Sequence, residues 1–185
     1  QSVGSMRWVA CQKEHGGSAV VIVAGNWTFI ECRFRGRPGP HLPGQYTNAT
    51  KWLGGNLLWV DRRSEAFVSG CYFGHLAHRV RIADFVGVGC ASNGKLRMQN
   101  SLIHGLNTGA SILENATAHM DRCTMINNRL GVYLNGSVYL EIRNSTIGPN
   151  QFGGFDCGYG SVASVLNVSQ TAVPGDFWAD THKPG

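Results

Sequence analysis

The chain has 185 residues, of which 43% are hydrophobic and 15% charged, with a formal net charge of +5. This length and apolar content suit one domain with a core of ordinary size. No apolar run reaches the ~18 residues of a membrane span, the longest candidate running from Ala19 to Gly25, so a soluble chain is expected.

In chain order a spaced pattern recurs: apolar, any, apolar, two of anything, a small residue, any, apolar. Its copies are Met6-Trp8-Cys11-Lys13, Trp27-Phe29-Cys32-Phe34, Ala66-Val68-Cys71-Phe73, Leu96-Met98-Ser101-Ile103, Ala118-Met120-Cys123-Met125, Leu140-Ile142-Ser145-Ile147 and Ala163-Val165-Val168-Gln170. Only Lys13 and Gln170, in the outermost copies, break it. Successive starts are 21, 39, 30, 22, 22 and 23 apart in the sequence, so the period settles near 22 and the first half carries two insertions.

Helical repeats of this kind would need longer, leucine-rich amphipathic stretches, and leucine-rich repeats would need Leu at several fixed positions of each unit. Here the repeated small position is Cys, Ser or Val, and the chain has 25 Gly. Alternation on either side of a two-residue step reads as two short strands meeting at a bend, because residues two apart in a strand face the same side. A third strand follows at Gly109-Ala110, Gly131-Val132 and Gly153-Gly154, again one period apart. The expected fold is all-β, a single-stranded parallel β-helix (solenoid) of about seven coils with three strands per coil. It fills residues 1–185 as one domain, with a protruding loop at 35–53 and a shorter insertion at 75–88.

Stacked coils turn equivalent residues into ladders. The column Cys11, Cys32, Cys71, Ser101, Cys123, Ser145, Val168 should be an inner corner, where small side chains let the backbone bend. Phe34, Phe73, Ile103, Met125 and Ile147 should form the bulkier core ladder beside it. Cβ atoms one rung apart, at roughly 4.8 Å, lie beyond the ~3.5 to 4.5 Å a disulfide prefers. The six cysteines are therefore expected as free thiols that folded in a reducing compartment, nucleus or cytoplasm. Gln1 to Arg7 show no signal-peptide pattern. Of six N-x-[ST] sequons, at Asn26, Asn48, Asn115, Asn135, Asn144 and Asn167, most are explained by the repeat. Asn100, Asn144 and Asn167 fall at the corner position, and Asn115 and Asn135-Gly136 precede strand starts, where Asn tolerates unusual backbone angles.

Basic charge concentrates in the first half at Arg33, Arg35, Arg37, Lys51, Arg62, Arg63, Arg79 and Arg81, giving a sequence pI near 9.0. The chain shows no ordered alternation of basic and aromatic residues, so nucleic acid is not expected as a partner. The long insertion holds Pro38, Pro40, Pro43, Gly36, Gly39 and Gly44 and should protrude as a loop whose ends the solenoid fixes. Its expected binding residues are Arg35, Arg37, His41, Tyr46, Lys51 and Trp52. The shorter insertion, reading VRIADFVGVG, suggests an added apolar strand or end cover.

No catalytic constellation stands out. The chain has 11 acidic residues, and Asp61, Asp84, Asp121 and Asp156 occupy unrelated repeat positions, unlike the clustered acids of polysaccharide lyases and hydrolases. Asp121 and Arg122 read as an exposed ion pair on a corner, and His75 and His104 as strand-end histidines without metal-ligand spacing. No catalytic residue, metal ligand or cofactor is expected, and no enzyme activity.

The runs TFIECRFRG, LLWVDRRSEAFVSGCYFGHL and MDRCTMINNRLGVYLNGSVYLEIRNSTI share a pattern: a coil opening, then Gly70-Cys71-x-Phe73, then a coil with Arg122-Cys123 and Leu130-Gly131-Val132. Over Trp27 to Ile147 this resembles the β-helical part of the large adenovirus early-region protein and of the left-end β-helical capsid protein of atadenoviruses, right-handed, pectin-lyase-like parallel β-helices. Bacteriophage tailspikes are similar in architecture. The resemblance implies, in the capsid branch, a virion structural protein, a homotrimer on the capsid surface that binds other capsid proteins or a host surface or glycan, and, in the early-protein branch, a nuclear adaptor whose cysteine-rich downstream part this chain lacks. The alternative is a tailspike-type module that binds or depolymerises polysaccharide. Self-association should use apolar residues near the C-terminus, Phe152, Phe155, Tyr159 and Phe177, which a narrow solenoid cannot easily bury.

Overall fold

Apolar residues at alternate positions, many of them aromatic or β-branched, form short strands with one inward face. The computed structural model describes residues 5–9, 12–15, 20–22, 24–36, 55–75, 83–158, 165–169 and 172. Its strands run coil by coil: β1 (Ser5–Val9), β2 (Gln12–His15), β3 (Val20–Ile22); β4 (Asn26–Ile30), β5 (Arg33–Gly36), β6 (Asn56–Val60); β7 (Glu65–Ser69), β8 (Tyr72–His75), β9 (Ala83–Cys90). They continue as β10 (Lys95–Gln99), β11 (Leu102–His104), β12 (Leu106–Leu113); β13 (Thr117–Asp121), β14 (Thr124–Ile126), β15 (Leu130–Asn135); β16 (Tyr139–Arg143), β17 (Thr146–Ile147), β18 (Phe155–Cys157); and β19 (Val165–Ser169). Each strand pairs in parallel with its equivalent in the next coil. Among the described residues this builds a first sheet of seven strands (β1-β4-β7-β10-β13-β16-β19), a second of six (β2-β5-β8-β11-β14-β17) and a third of six (β3-β6-β9-β12-β15-β18).

The register follows the repeat through the first six copies. Met6, Trp27, Ala66, Leu96, Ala118 and Leu140 are successive partners in the first sheet. In the second sheet Phe34, Phe73, Ile103, Met125 and Ile147 stack in line, and all five are fully buried. The Phe34 and Phe73 rings stack with centroids 4.7 Å apart and planes 3° from parallel.

The small column owes its composition to hydrogen bonding as well as size. Each described corner between the first and second sheets has one left-handed residue: Glu31 (φ 53°), Gly70 (64°), Asn100 (48°), Arg122 (52°) and Asn144 (50°). The next residue, Cys32, Cys71, Ser101, Cys123 or Ser145, is buried. The Cys71 N–H donates to Ser101 Oγ and the Cys123 N–H to Ser145 Oγ, each at 3.0 Å. Ser101 Oγ in turn donates to the Gln99 carbonyl at 2.7 Å, and Ser145 Oγ to that of Arg143 at 2.6 Å. A bend turns a backbone N–H away from the strand ladder, and buried N–H groups need acceptors; a short side chain with a polar or sulfur atom supplies one without overpacking.

Asparagine does the same work at the corner between the second and third sheets. Asn128 Oδ1 accepts the Leu106 N–H and Asn150 Oδ1 accepts the Asn128 N–H, each at 3.0 Å. Asn128 Nδ2 donates to the Ile103 carbonyl at 3.4 Å, and Asn150 Nδ2 to that of Met125 at 3.3 Å. Because Asn128 is buried, Asn128→Ala strands two backbone groups and is expected to cost about 2–4 kcal/mol. Chemical denaturation checks this, and a loss near zero would show that the bridge contributes nothing.

Five sequence expectations need correction. The seventh copy lies three positions later than its pattern suggests: Ile142 pairs with Val168, and Thr146 bridges Ala172. Val168 therefore extends the Ile142 column rather than the small column, and at the last rung it is 36% exposed. The same shift puts Asn167 within β19 opposite Glu141, not at a corner. In the third sheet Ala110 pairs with Val132 as expected, but Val132 pairs with Phe155, one position past Gly154. Arg35 and Gly36 belong to β5 rather than to a loop, and the 75–88 segment includes most of β9, which is no added strand but the rung between β6 and β12, with one shift of register where it meets Leu106 and Thr108. Glycine in this rung serves close approach: a methyl on Gly87 would lie 2.6 Å from the Gly109 carbonyl oxygen, and one on Gly109 2.5 Å from that of Gly131.

The fifth correction concerns sulfur. Cys71, Cys90, Cys123 and Cys157 are free, but Cys32 is disulfide-bonded, to a partner outside the described residues. The spacing argument considered Cβ atoms in an undistorted stack. A rung spacing of about 4.8 Å between Cα atoms lies inside the ~4.4–6.8 Å that disulfides accept, so a modest lean of two side chains suffices.

Candidate functional site

Inward positions are committed to the core, so function falls to the outward columns and corners. The outer face of the first sheet is a lattice of paired charges. Arg97 Nε lies 3.5 Å from Glu65 Oε1, and Arg122 Nε 2.9 Å from Asp121 Oδ2. Asn144 Nδ2 donates to Asp121 Oδ1 at 2.7 Å. His119 Nδ1 meets Glu141 Oε2 at 2.8 Å, and Arg143 pairs with the other oxygen of Glu141. The bond from His119, supported by Arg143, holds the Glu141 carboxyl below the usual carboxylate range. A carboxyl lowered in this way is ionised at neutral pH and has no proton to donate as a general acid.

The second sheet differs. One residue ahead of the core ladder, its outward column runs Arg33, Tyr72, Leu102, Thr124 in register. With the corner residues Glu31, Gly70, Asn100 and Arg122, and with Ile126, this column lines an open trough of 710 Å³. The trough is the concavity that sequence reasoning missed. Core ladders repeat one chemical type and are visible as a pattern, whereas outward columns mix types freely; the signal was the register itself, read one residue upstream of Phe34 and Phe73.

The residues expected to bind a partner are not brought together among the described residues. Arg35 is half-buried on β5, while Arg37, His41, Tyr46, Lys51 and Trp52 lie outside them. Of the expected interface residues, Phe152 is 52% exposed, with the Arg129 guanidinium 4.6 Å from its ring centroid. Phe155 is corrected: it is fully buried, because its pairing with Val132 turns it inward on β18. Tyr159 and Phe177 lie outside the described residues. His104 Nε2 lies 3.2 Å from Asn127 Nδ2 at a strand end. The described residues hold no group of three or more His, Cys, Asp or Glu able to bind a metal, and no helix long and apolar enough to cross a membrane. Burial pushes the Cys90 thiol up to about 12, with Asp61 adding to the rise, and that of Cys123 up to about 11.

A family model described as "Right handed beta helix region" matches residues 15–173. The chain belongs to the right-handed β-helix family. No curated protein and no solved structure matches it. Membership in the right-handed β-helix family accounts for the three parallel sheets and their ladders. The outward chemistry of this β-helix is its own, and it divides between a first sheet whose carboxylates at Glu65, Asp121 and Glu141 are each paired with a cation and a mixed, concave second sheet.

Proposed function

We propose that this β-helix is a non-enzymatic structural protein of a virus particle, a capsid-surface, cementing or decoration protein that assembles as a homotrimer and contacts other capsid proteins or a host surface. The observation that carries the non-catalytic part is the lattice on the first sheet. Glu65, Asp121 and Glu141 each face a cation of their own chain. Hydrolysis needs one carboxyl kept protonated and a second placed opposite it, and calcium-dependent cleavage needs carboxylates free to ligate. A paired lattice instead makes a stiff, well-solvated outer wall.

The viral and trimeric parts rest on the sequence resemblance and on shape, since three flat sheets give a prism whose sides suit closed symmetric packing. The free thiols at Cys71, Cys90, Cys123 and Cys157 support assembly in a reducing nucleus or cytoplasm before the particle matures. Sedimentation at micromolar concentration is expected to show a trimer, and Phe152→Asp to weaken it. A wild type that is monomeric under these conditions would remove the assembly reading.

A further inference from the structure

The small column carries sulfur where oxygen would serve. Ser101 Oγ accepts the Cys71 N–H and Ser145 Oγ that of Cys123, each at 3.0 Å; Cys71 Sγ accepts the Cys32 N–H in the same way, at 3.3 Å. Serine would serve the bend, so sulfur on two successive rungs adds something that the turn does not need. Cys32 and Cys71 are both buried, and their sulfurs hold equivalent places. Cys32 Sγ lies 3.4 Å from the Ile30 carbonyl oxygen and 3.6 Å from that of Trp8. Cys71 Sγ lies 3.4 Å from the Ser69 carbonyl oxygen and 3.6 Å from that of Phe29. Ile30 pairs with Ser69, and Trp8 with Phe29, so one sulfur is the other moved by a single rung, about 4.8 Å. The contact with the Cys32 N–H leans Cys71 Sγ back toward the coil of Cys32. Backbone bonds fix the two coils on either side, from the Glu31 N–H to the Ser69 carbonyl at 2.8 Å and from the Tyr72 N–H to the Cys32 carbonyl at 2.9 Å.

Of these neighbours, Cys32 is disulfide-bonded and Cys71 is a free thiol, the two reactants of thiol–disulfide exchange. We infer that Cys32 and Cys71 form an exchange pair, through which the disulfide held by Cys32 moves one rung along the column. Cys71 gives up its proton, and its thiolate attacks Cys32 Sγ. A Cys32–Cys71 bond forms as the bond from Cys32 to its present partner breaks; the electron pair leaves with the partner sulfur, which takes up the proton. One disulfide is consumed and one is made, so no outside oxidant or reductant enters. In its new place the bond fastens the coil of β4, β5 and β6 to that of β7, β8 and β9. Ser101, on the next rung, has no sulfur to carry the transfer further. Burial pushes the Cys71 thiol up, against the lowering bonds it makes to backbone groups of Cys32, Ser69 and Glu31; of the charged residues lining the trough beside it, Glu31, Arg33 and Arg122, Glu31 adds to the rise. The thiolate is the attacking form, so exchange is slow at neutral pH and quickens as pH rises.

Disulfide mapping of the folded full chain tests the pair. The protein is held without added thiol or oxidant at neutral and at mildly alkaline pH, its free thiols are blocked with N-ethylmaleimide in mildly acidic denaturant, and tryptic peptides are read by mass spectrometry. Cys32 and Cys71 fall in separate peptides, 14–33 and 64–79. These two are expected to become linked, at a rate rising about tenfold per pH unit, while the number of free thiols stays constant. Cys71→Ser, which keeps an acceptor for the Cys32 N–H, should hold the bond where it starts. Cys123→Ser, two rungs further along the column, should exchange like the wild type. Far-ultraviolet circular dichroism shows whether each variant is folded, and the wild type by itself decides the matter if Cys71→Ser is not. Folded wild type that never links the two peptides overturns the inference. So does linkage of Cys32 to Cys90, Cys123 or Cys157 as readily as to Cys71, which marks scrambling in unfolded chains. Exchange needs only the column: a monomer that exchanges removes the assembly reading alone, and a trimer that does not removes this one alone.

Discussion

Replacing Cys123 by arginine is expected to leave no folded protein. Cys123 is 1% exposed, in the small column with Ser101 and Ser145 one rung away on either side, and its sulfur sits 3.4 Å from the Asp121 carbonyl oxygen. An arginine there must either bury an unpaired charge, at a cost of several kcal/mol after relaxation, or force open the turn. Either cost is comparable to the ~5–15 kcal/mol that holds a typical domain together. Thermal melting followed by circular dichroism is the check. Cys123→Ser, which installs the residue the column already uses in neighbouring coils, is expected to fold. An arginine variant that melts where the wild type does would mean that this position is not inside the solenoid.

The second large effect is expected at Phe73. Its ring stacks on Phe34 at 4.7 Å, and Phe34 meets Phe29 edge-on with centroids 5.6 Å apart, so the aromatic cluster ties the first and second sheets together within the core. Phe73→Ala removes the ring from a fully buried site whose strand neighbours are pinned by the ladder and cannot collapse into the gap. Cavity formation of this kind costs about 3–5 kcal/mol, and it should appear as a lower denaturant midpoint with little change in slope. A loss below about 1 kcal/mol would show that the stack is not the centre of the core.

Much of the fold is legible because a solenoid writes its interior repeatedly. Every coil must present an apolar residue at the same two positions before the corner, a small one at the corner and a bulky one after it, so the pattern survives the two insertions in the first half of the chain. The reading fails where only local residues can decide. Three further residues before β19 move its partners, and a shift by an odd number exchanges the inner and outer faces of a strand. This is why the pattern alone puts Val168 in the wrong column and Asn167 at a corner. One additional residue before β18 turns Phe155 inward. The asparagine bridges at Asn128 and Asn150 also escape the reading, although the two stand one period apart in the sequence, because polar residues near turns read as exposed.

By itself the sequence determined the parallel solenoid, its two core ladders and the first six registers, since hydrophobic burial imposes one chemical type per inward position and repetition makes that type visible. Only the tertiary structure decided what lies outside and between coils. The charges of the first sheet pair across adjacent rungs, Cys32 finds its disulfide, and Arg33, Tyr72, Leu102 and Thr124 converge along one trough although each comes from a different coil. Outward side chains face water whatever their type, so no packing constraint writes them into a repeating pattern. Their meaning comes from neighbours that stacking alone supplies.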